Sequence, residues 1–236
     1  PLGADVSGSR YLEPDGMFPN HIPNPEDKEA MASIREAVLN SHADLGVIFD
    51  TDVDRAGCVD AHGDEINRNR LIALASAIAL EGHAGGTIVT DSVTSDGVHE
   101  FIESALDGRH HRFRRGYKNV INEAQRLCAE GIDCPLAIET SGHAALRENF
   151  FLDDGAYLMT RIIIKMAVLR RQGRALEDLI AGLKTPVEEA EARLSLSGDD
   201  FAAYGQRIID DLADFAQRHP GLTLAPDNRE GVRVCC

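Results

Sequence analysis

Three carboxylates at alternate positions follow a short apolar run in the first quarter of the chain. The run Leu45–Phe49 is followed by a charged set, Asp50, Asp52, Asp54 and Arg55. The run has the length and β-branched content of a buried parallel strand, and ligands in open α/β sheets bind at the carboxyl ends of such strands. Three carboxylates that converge repel one another unless a hard divalent cation, which prefers oxygen ligands, lies between them. The spacing therefore predicts a divalent metal site.

Three other interpretations compete with this metal site. The first is a solvated acidic turn, because Asp is common where strands end. The second is an EF-hand calcium loop, which needs Gly at its sixth position and Glu at its twelfth; Arg55 and Ala61 stand there and exclude it. The third is a phosphatase of the haloacid dehalogenase type, in which Asp50 would be the nucleophile and Asp52 the acid/base. That alternative stays open on these residues alone.

A second polar group, Glu139, Ser141 and His143, follows another predicted strand. The three alternate along the chain, so an extended backbone would direct all of them to the same side. A carboxylate, a hydroxyl and an imidazole can together accept and donate the hydrogen bonds of sugar hydroxyl groups. The alternative is an ordinary polar turn in which His143 makes only a local contact.

The composition limits the class of protein and its partners. The 236 residues contain 43% hydrophobic and 27% charged residues, typical of a globular protein. The net charge of −15 argues against nucleic acid as a partner. The most apolar predicted helical stretch, residues 157–169, is too short to span a membrane and contains Arg161 and Lys165. The five cysteines lack Cys-x-x-Cys spacing, which predicts reduced thiols and a cytoplasmic location.

The hydrophobic patterns predict an α/β fold of layered mixed sheets and helices, followed by the start of an α+β unit. We expect three units, residues 1–62 with the acidic loop, 63–184 with the segment 139–143, and an incomplete unit 185–236. The predicted strands cover residues 45–50, 57–61, 87–90, 111–114, 135–139, 187–196, 222–224 and 232–235. The predicted helices cover residues 67–81, 95–106, 117–128 and 155–171, with others capped by Asn24 and begun by Ser197 and Asp199.

Six segments together resemble the α-D-phosphohexomutase family, which includes phosphoglucomutase, phosphomannomutase and phosphoglucosamine mutase. The family's metal loop reads Asp-Gly-Asp-x-Asp-Arg, and residues 50–55 match it except at Thr51. Its sugar loop reads Gly-Glu-x-Ser-Gly-His, and residues 138–143 match it except at Ile138. The other matching segments are 18–25, 116–118, 153–155 and 230–233. Thr51 replaces a Gly that could adopt positive φ, so the loop is strained there or needs no such angle. Ile138 is expected to alter the shape of the sugar loop.

The resemblance implies a reaction. A phosphoserine would donate its phosphoryl group to a hexose 1-phosphate or 6-phosphate, and the resulting hexose 1,6-bisphosphate would turn round and return its other phosphoryl group. Asp50, Asp52 and Asp54 would be the ligands of Mg²⁺, which suits oxygen donors and neutralises charge in phosphoryl transfer.

The resemblance also implies roles for five other residues. Arg55 would orient the metal loop or contact the phosphate through its planar guanidinium group. Glu139 and Ser141 would hold the sugar hydroxyl groups. Lys118 would assist proton transfer or offset charge near the attacking oxygen. His143 would support the sugar loop or contact the substrate.

The family's proteins have four domains, and two of their functional segments are not recognised here. These are the Thr-x-Ser-His-Asn-Pro-like segment with the phosphorylatable serine, in the first domain, and the Arg/Ser/Thr-rich phosphate-binding loop of the fourth. The resemblance implies that the chain holds the end of domain 2, domain 3 and the start of domain 4, with domains 1 and 4 as missing partners. We expect the chain alone to be inactive. A non-catalytic fragment that binds sugar phosphates is the alternative from another class.

Overall fold

The computed structural model describes residues 3–188, 190, 192, 194–196 and 200–235. Strands and helices alternate along this part of the chain and form a three-stranded sheet, a four-stranded sheet and a two-stranded sheet. The predicted α/β class, with mixed sheets, is confirmed. The two larger sheets carry the two polar segments that the sequence singles out.

The first sheet has the order β1 (Leu45–Phe49), β2 (Ala56–Asp60) and β3 (Glu65–Ile66), and every pair is antiparallel. The prediction that β1 is a parallel strand is therefore wrong. Its burial alternates along the strand instead of being continuous. The reason lies in the connection, because the residues 50–55 can only reverse the chain, whereas a parallel pair needs a crossover of a dozen or more residues.

Helix α1 (Lys28–Ser41) packs against this sheet and begins later than predicted. Asp27 caps it in place of Asn24, because the Asp27 carboxylate accepts the N–H groups of Glu29 and Ala30 at 2.9 and 3.0 Å. Asn24 closes the turn before the helix, where its carbonyl oxygen accepts the Asp27 N–H at 2.9 Å.

The second sheet has the order β5-β4-β6-β7. Strand β4 is parallel to both β5 and β6, and β7 adds an antiparallel edge. The carboxyl ends of β4, β5 and β6 therefore meet at one edge. The bounds of the strands are β4 Thr87–Asp91, β5 Arg109–Phe113, β6 Leu136–Ile138 and β7 Ala144–Leu146.

The helices of this part of the chain agree with the predictions to within a few residues, except that the predicted helix 95–106 ends in a π-helical turn. The bounds are α2 Arg68–Ala79, α3 Asp96–Glu100, the π turn Phe101–Ala105, α4 Tyr117–Ala129 and α5 Gly155–Arg171. Short 3-10 turns cover Arg147–Asn149 and Glu177–Ile180. The strands β3 and β7 were not predicted.

One hydrophobic core joins the two larger sheets. Helix α2 is buried over nearly its whole length, as expected for a helix that is apolar on all sides. Its side chains pack with residues of β2, β4, β6 and α5, among them Cys58, Ile88, Leu136 and Ile162. This shared core fixes the acidic loop of the first sheet relative to the second sheet.

The tail contains helix α6 (Phe201–Arg218) and a two-stranded sheet of β8 (Thr223–Leu224) and β9 (Val234–Cys235). The predicted start of this helix at Ser197 and Asp199 lies outside the described residues. The predicted strand 187–196 lies partly outside them, and its described residues are not in a strand. Among all the described residues, no helix combines the length and apolarity needed to cross a bilayer.

Candidate functional site

The acidic loop connects β1 to β2 and is closed by reciprocal contacts between Asp50 and Arg55. The Asp50 N–H donates to the Arg55 carbonyl oxygen at 3.3 Å, and the Arg55 N–H donates to Asp50 Oδ1 at 3.1 Å. The Arg55 side chain donates from Nε to Asp50 Oδ2 at 2.8 Å and from Nη1 to Asn24 Oδ1 at 3.2 Å. Burial would raise the pKa of Asp50, but the hydrogen bonds and charge of Arg55 lower it overall. Asp50 is therefore held as a carboxylate.

The three loop carboxylates converge. One oxygen from each of Asp50, Asp52 and Asp54 lies within 4.8 Å of the others. Asp50 is buried, Asp52 is exposed and Asp54 is half-buried. The Oδ1 atom of Asp54 is buried and has no hydrogen-bond partner among the described residues. An unpaired buried carboxylate oxygen beside two other carboxylates fits a hard divalent cation, which would supply the missing contact.

Burial raises the pKa of Asp54 to about 6, and the negative charges of Asp50 and Asp153 add to the rise while His143 opposes it. The like charges around Asp54 therefore oppose its ionised form. Positive charge at this position would remove that conflict.

The backbone strain of the acidic loop lies at Val53. Its φ is +66°, in the left-handed region that β-branched residues rarely adopt. Thr51, which replaces the family's Gly, does not have positive φ. The strained conformation directs the Val53 carbonyl oxygen to the N–H of Gly155, at 3.1 Å. The loop thus needs one left-handed residue, two positions after the one that the sequence suggested.

The segment 139–143 is a tight turn between β6 and β7, so the expectation of an extended backbone is wrong. The Glu139 N–H donates to the His143 carbonyl oxygen at 2.9 Å, and the Gly142 N–H donates to the Glu139 carbonyl oxygen at 3.1 Å. The turn nevertheless brings side chains together, because the Ser141 hydroxyl donates to Glu139 Oε2 at 3.3 Å. Gly142 has φ of +101°, and a Cβ there would lie 2.8 Å from the Ala56 carbonyl oxygen.

The acidic loop and the segment 139–143 are in contact. Arg55 and His143 form an isolated antiparallel bridge between them. His143 Nδ1 lies 2.8 Å from Asp153 Oδ2 and 3.6 Å from Asp54 Oδ2. Burial would lower the pKa of His143, but its hydrogen bond to Asp153 and the nearby carboxylate charges raise it overall. The imidazole therefore connects the acidic loop to the segment 139–143.

Residues 153–155, at the start of helix α5, hold the contact between the two loops in place. Asp153 also accepts the N–H of Ala144 at 3.1 Å, and Asp154 caps helix α5 by accepting the Tyr157 N–H at 2.9 Å. A Cβ at Gly155 would lie 2.9 Å from the carbonyl carbon of Arg55. The helix can therefore approach the acidic loop only with Gly at this position.

Lys118 is exposed and contacts the side chain of Tyr117, which in turn stacks on His143. The Tyr117 ring stacks on His143 with ring centres 4.8 Å apart, and Lys118 Nζ lies 5.7 Å from the centre of the Tyr117 ring. The N–H of Gly116 donates to Glu139 Oε1 at 2.5 Å. Burial raises the pKa of Glu139, and the Gly116 N–H opposes this rise.

Three residues that contribute to the site were not identified as site residues from the sequence. Tyr117 and Asp153 stand within matched family segments, but their contacts with His143 could not be read from spacing. Asp91 is fully buried at the end of β4, where its Oδ2 accepts the Thr140 hydroxyl at 2.6 Å and the Thr140 N–H at 3.2 Å. The sequence feature that could have identified Asp91 is a carboxylate directly after the predicted strand 87–90, similar to the position of Asp50 after the run Leu45–Phe49.

Comparison with known families agrees with this architecture. Residues 7–63 match the profile "Phosphoglucomutase/phosphomannomutase, alpha/beta/alpha domain II", and residues 67–186 match "Phosphoglucomutase/phosphomannomutase, alpha/beta/alpha domain III". The chain is 30% identical over 225 residues to a phosphomannomutase/phosphoglucomutase of Pseudomonas aeruginosa, an alignment that covers 95% of this chain and 45% of that protein. It is 30% identical over 230 residues to a phosphomannomutase of Salmonella typhimurium, covering 95% of this chain and 48% of that one.

A solved structure supports the same conclusion. A phosphoglucomutase/phosphomannomutase family protein from Burkholderia thailandensis matches with a TM-score of 0.74 and 26% identity, over 93% of this chain and 43% of that one. The fold and the two touching loops define an α/β protein of the phosphohexomutase class. The chain belongs to the phosphoglucomutase/phosphomannomutase family, the α-D-phosphohexomutases. It spans less than half the length of these relatives. Family membership leaves the phosphatase alternative without support.

Proposed function

We propose that this chain supplies the metal loop and the sugar loop of a phosphohexomutase that interconverts hexose 1-phosphates and hexose 6-phosphates. The observation that carries the proposal is the contact between the two loops through Arg55 and His143. A phosphoryl group at the acidic loop would thereby lie next to a sugar held by Glu139 and Ser141. The named relatives, which are phosphoglucomutases and phosphomannomutases, support the same reaction class.

The acidic loop would hold Mg²⁺ through Asp50, Asp52 and Asp54. When bound, the ion neutralises charge on the transferring phosphoryl group. Residues of the loop prepare this position. Arg55 fixes the rotamer of Asp50, and Asp54 Oδ1, which has no hydrogen-bond partner among the described residues, is free to contact a cation. Arg55 is thus best suited to orienting the loop, since its guanidinium group is already engaged with Asp50 and Asn24.

The sugar loop would recognise hydroxyl groups of the hexose. Glu139 accepts two hydrogen bonds and is fixed by Gly116 and Ser141, so its orientation does not depend on the substrate. A buried carboxylate with a raised pKa can accept a hydrogen bond or exchange a proton with a sugar hydroxyl. His143 would support this loop, and the exposed ammonium group of Lys118 would offset charge near the attacking oxygen.

In the first half-reaction, a sugar hydroxyl oxygen forms a bond to phosphorus as the bond from phosphorus to the serine oxygen breaks. The hydroxyl proton passes to a base of the site. In the second half-reaction, the serine hydroxyl oxygen forms a bond to the other phosphorus of the hexose 1,6-bisphosphate as the bond from that phosphorus to the sugar oxygen breaks. The serine proton is taken up by the site, and the released sugar oxygen receives a proton from it. We infer that the phosphoserine and the clamp for the distal phosphate belong to domains 1 and 4, which complete the site around this chain.

The test is a mutase assay of the complete gene product with Mg²⁺ and glucose 1,6-bisphosphate, using glucose, mannose and glucosamine phosphates as substrates. We expect turnover of at least one of them. Glu139→Gln should lower kcat/KM by about 100-fold, because it removes the charge that holds the sugar and takes up its proton. Glu65→Gln, at an exposed glutamate, is the matched control. Binding of sugar phosphates without turnover would favour the non-catalytic alternative.

A further inference from the structure

The tail segment 227–233 lies across the carboxyl ends of β4 and β5. The guanidinium carbon of Arg229 lies 5.6 Å from the centre of the Phe113 ring at the end of β5. Glu230 accepts the hydroxyl of Ser92, the residue that follows β4. Because β6 is parallel to β4, the sugar loop emerges at this same edge of the sheet. The segment therefore borders the position where parallel α/β sheets bind their ligands.

A ring of four alternating charges fixes the segment there. Arg112, only 7% exposed, donates to Asp96 at 2.7 Å and to Asp227 at 3.0 Å. Arg233 donates to the same two carboxylates, to Asp227 at 3.3 Å and to Asp96 at short range. Each carboxylate thus contacts two guanidinium groups, and each guanidinium group contacts two carboxylates. Such a network holds the segment more firmly than isolated surface ion pairs would.

This docking places Glu230 on the turn that leads to Lys118. Glu230 Oε1 accepts the N–H of Arg115 at 2.7 Å. The next N–H along the chain, that of Gly116, donates to Glu139 Oε1 at 2.5 Å. Two consecutive backbone donors are therefore held by two carboxylates, one from the sugar loop and one from the tail.

We infer that Glu230 is a positioning residue for the turn that carries Gly116, Tyr117 and Lys118. It acts through the backbone of Arg115 and so sets the approach of Tyr117 to His143 and the orientation of the neighbouring Glu139. The charge ring of Arg112, Asp96, Asp227 and Arg233 supports this role, because it holds the segment that presents Glu230. The consequence for a sugar substrate rests on the proposed function, whereas the contact itself does not.

The direct test is amide hydrogen exchange of Arg115 and Gly116 in the 236-residue chain, measured by NMR. Glu230→Ala should speed exchange of both amides by about 5- to 10-fold, the effect of losing a charge-assisted acceptor at an exposed site. Glu230→Gln keeps an acceptor oxygen and should restore most of the protection. Glu13→Ala, which removes an exposed acid from the N-terminal loop, should leave both amides unchanged. Exchange at Arg115 and Gly116 that is the same in Glu230→Ala and in the parent chain would overturn the inference.

The functional consequence is tested in the complete gene product. Glu230→Ala should lower kcat/KM for the hexose phosphate by about 5-fold, mainly through KM, because the turn that presents the sugar-loop carboxylate loses its second anchor. Glu230→Gln should recover most of this loss, which a general loss of stability would not. Unchanged kcat/KM in an active Glu230→Ala enzyme would contradict the positioning role. A parent protein without mutase activity would overturn the proposed function but not the exchange result.

Discussion

Replacing Gly155 by alanine is expected to separate helix α5 from the acidic loop. An added Cβ would lie 2.9 Å from the carbonyl carbon of Arg55, 3.0 Å from the Val53 carbonyl oxygen and 3.1 Å from the Arg55 carbonyl oxygen. All three are backbone atoms, so no side-chain rotation relieves the contact. The chain must shift by several tenths of an ångström, and the hydrogen bond from the Gly155 N–H to Val53, now 3.1 Å, must lengthen.

The magnitude follows from three opposing effects. Overpacking against backbone costs about 1–3 kcal/mol. Weakening the hydrogen bond costs about 0.5–1.5 kcal/mol, and the better helix propensity of alanine returns at most about 1 kcal/mol. The net expectation for Gly155→Ala is a loss of about 2 kcal/mol in the free energy of unfolding. For a chain of this size that corresponds to a fall in Tm of about 4–8 °C.

Thermal and urea unfolding of the 236-residue chain measure this loss, and Mg²⁺ titration measures its effect on the acidic loop. Gly205→Ala is the matched control, because Gly205 lies within α6 and, among the described residues, an added Cβ meets only the Leu196 side chain, at 3.4 Å. That variant should be stabilised by up to about 1 kcal/mol through helix propensity. A Gly155→Ala chain as stable as the parent, with the same Mg²⁺ affinity, would refute the close approach of α5 to the loop.

Three further predictions concern the acidic loop and the tail. Val53→Gly should raise the free energy of unfolding by about 1 kcal/mol, because it removes the backbone strain of a β-branched residue at φ +66°. Urea unfolding measures this change, and a loss of stability would contradict the presence of strain at Val53. Arg55→Lys should weaken Mg²⁺ binding about 10-fold, because one ammonium group cannot reproduce the planar guanidinium group that orients Asp50. Calorimetry measures the Mg²⁺ affinity, and equal affinity in Arg55→Lys and in the parent chain would refute this role of Arg55. Burial would raise the pKa values of Asp96 and Asp227, but their arginine partners lower both below 3.8. Docking of the segment 227–233 is therefore present above pH 3.8 and is lost only as the pH falls through the lowered pKa values. NMR shifts of the segment 227–233 should therefore be unchanged from pH 7 to pH 5, and undocking at pH 5 would contradict the charge ring.

The sequence predicted long, strongly patterned elements well. Helix α5 has the predicted bounds 155–171, because Asp154 caps it and apolar residues recur along it. The strand before the acidic loop was also located, but its pairing was not, since an apolar run has the same composition in parallel and antiparallel sheets. The six residues 51–56 between the two predicted strands were the available signal, because so short a connection requires an antiparallel pair.

The sequence predicted candidate residues of the site, but it did not predict the contacts between them. The acidic loop and the sugar loop were each recognised from local spacing together with the family resemblance. Their bridge through His143 depends on a core that no local pattern contains. The same holds for the stacking of Tyr117 on His143 and for the contacts of the Asp91 and Asp153 carboxylates, which join residues that are not neighbours in the sequence. Strain at Val53 could not be foreseen, because a valine in sequence gives no indication of positive φ.

The central claim is that the acidic loop and the sugar loop form one phosphoryl-transfer site. The most direct measurement is the interconversion of hexose 1-phosphate and 6-phosphate by the complete gene product over a range of Mg²⁺ concentrations, in the parent enzyme and in Asp52→Asn. Asp64→Asn, at an exposed aspartate outside the loop, is the control. We predict Mg²⁺-dependent turnover that falls by at least about 100-fold in Asp52→Asn and is unchanged in Asp64→Asn, because the ion neutralises the transferred charge. Undiminished turnover and unchanged Mg²⁺ dependence in Asp52→Asn would contradict the account.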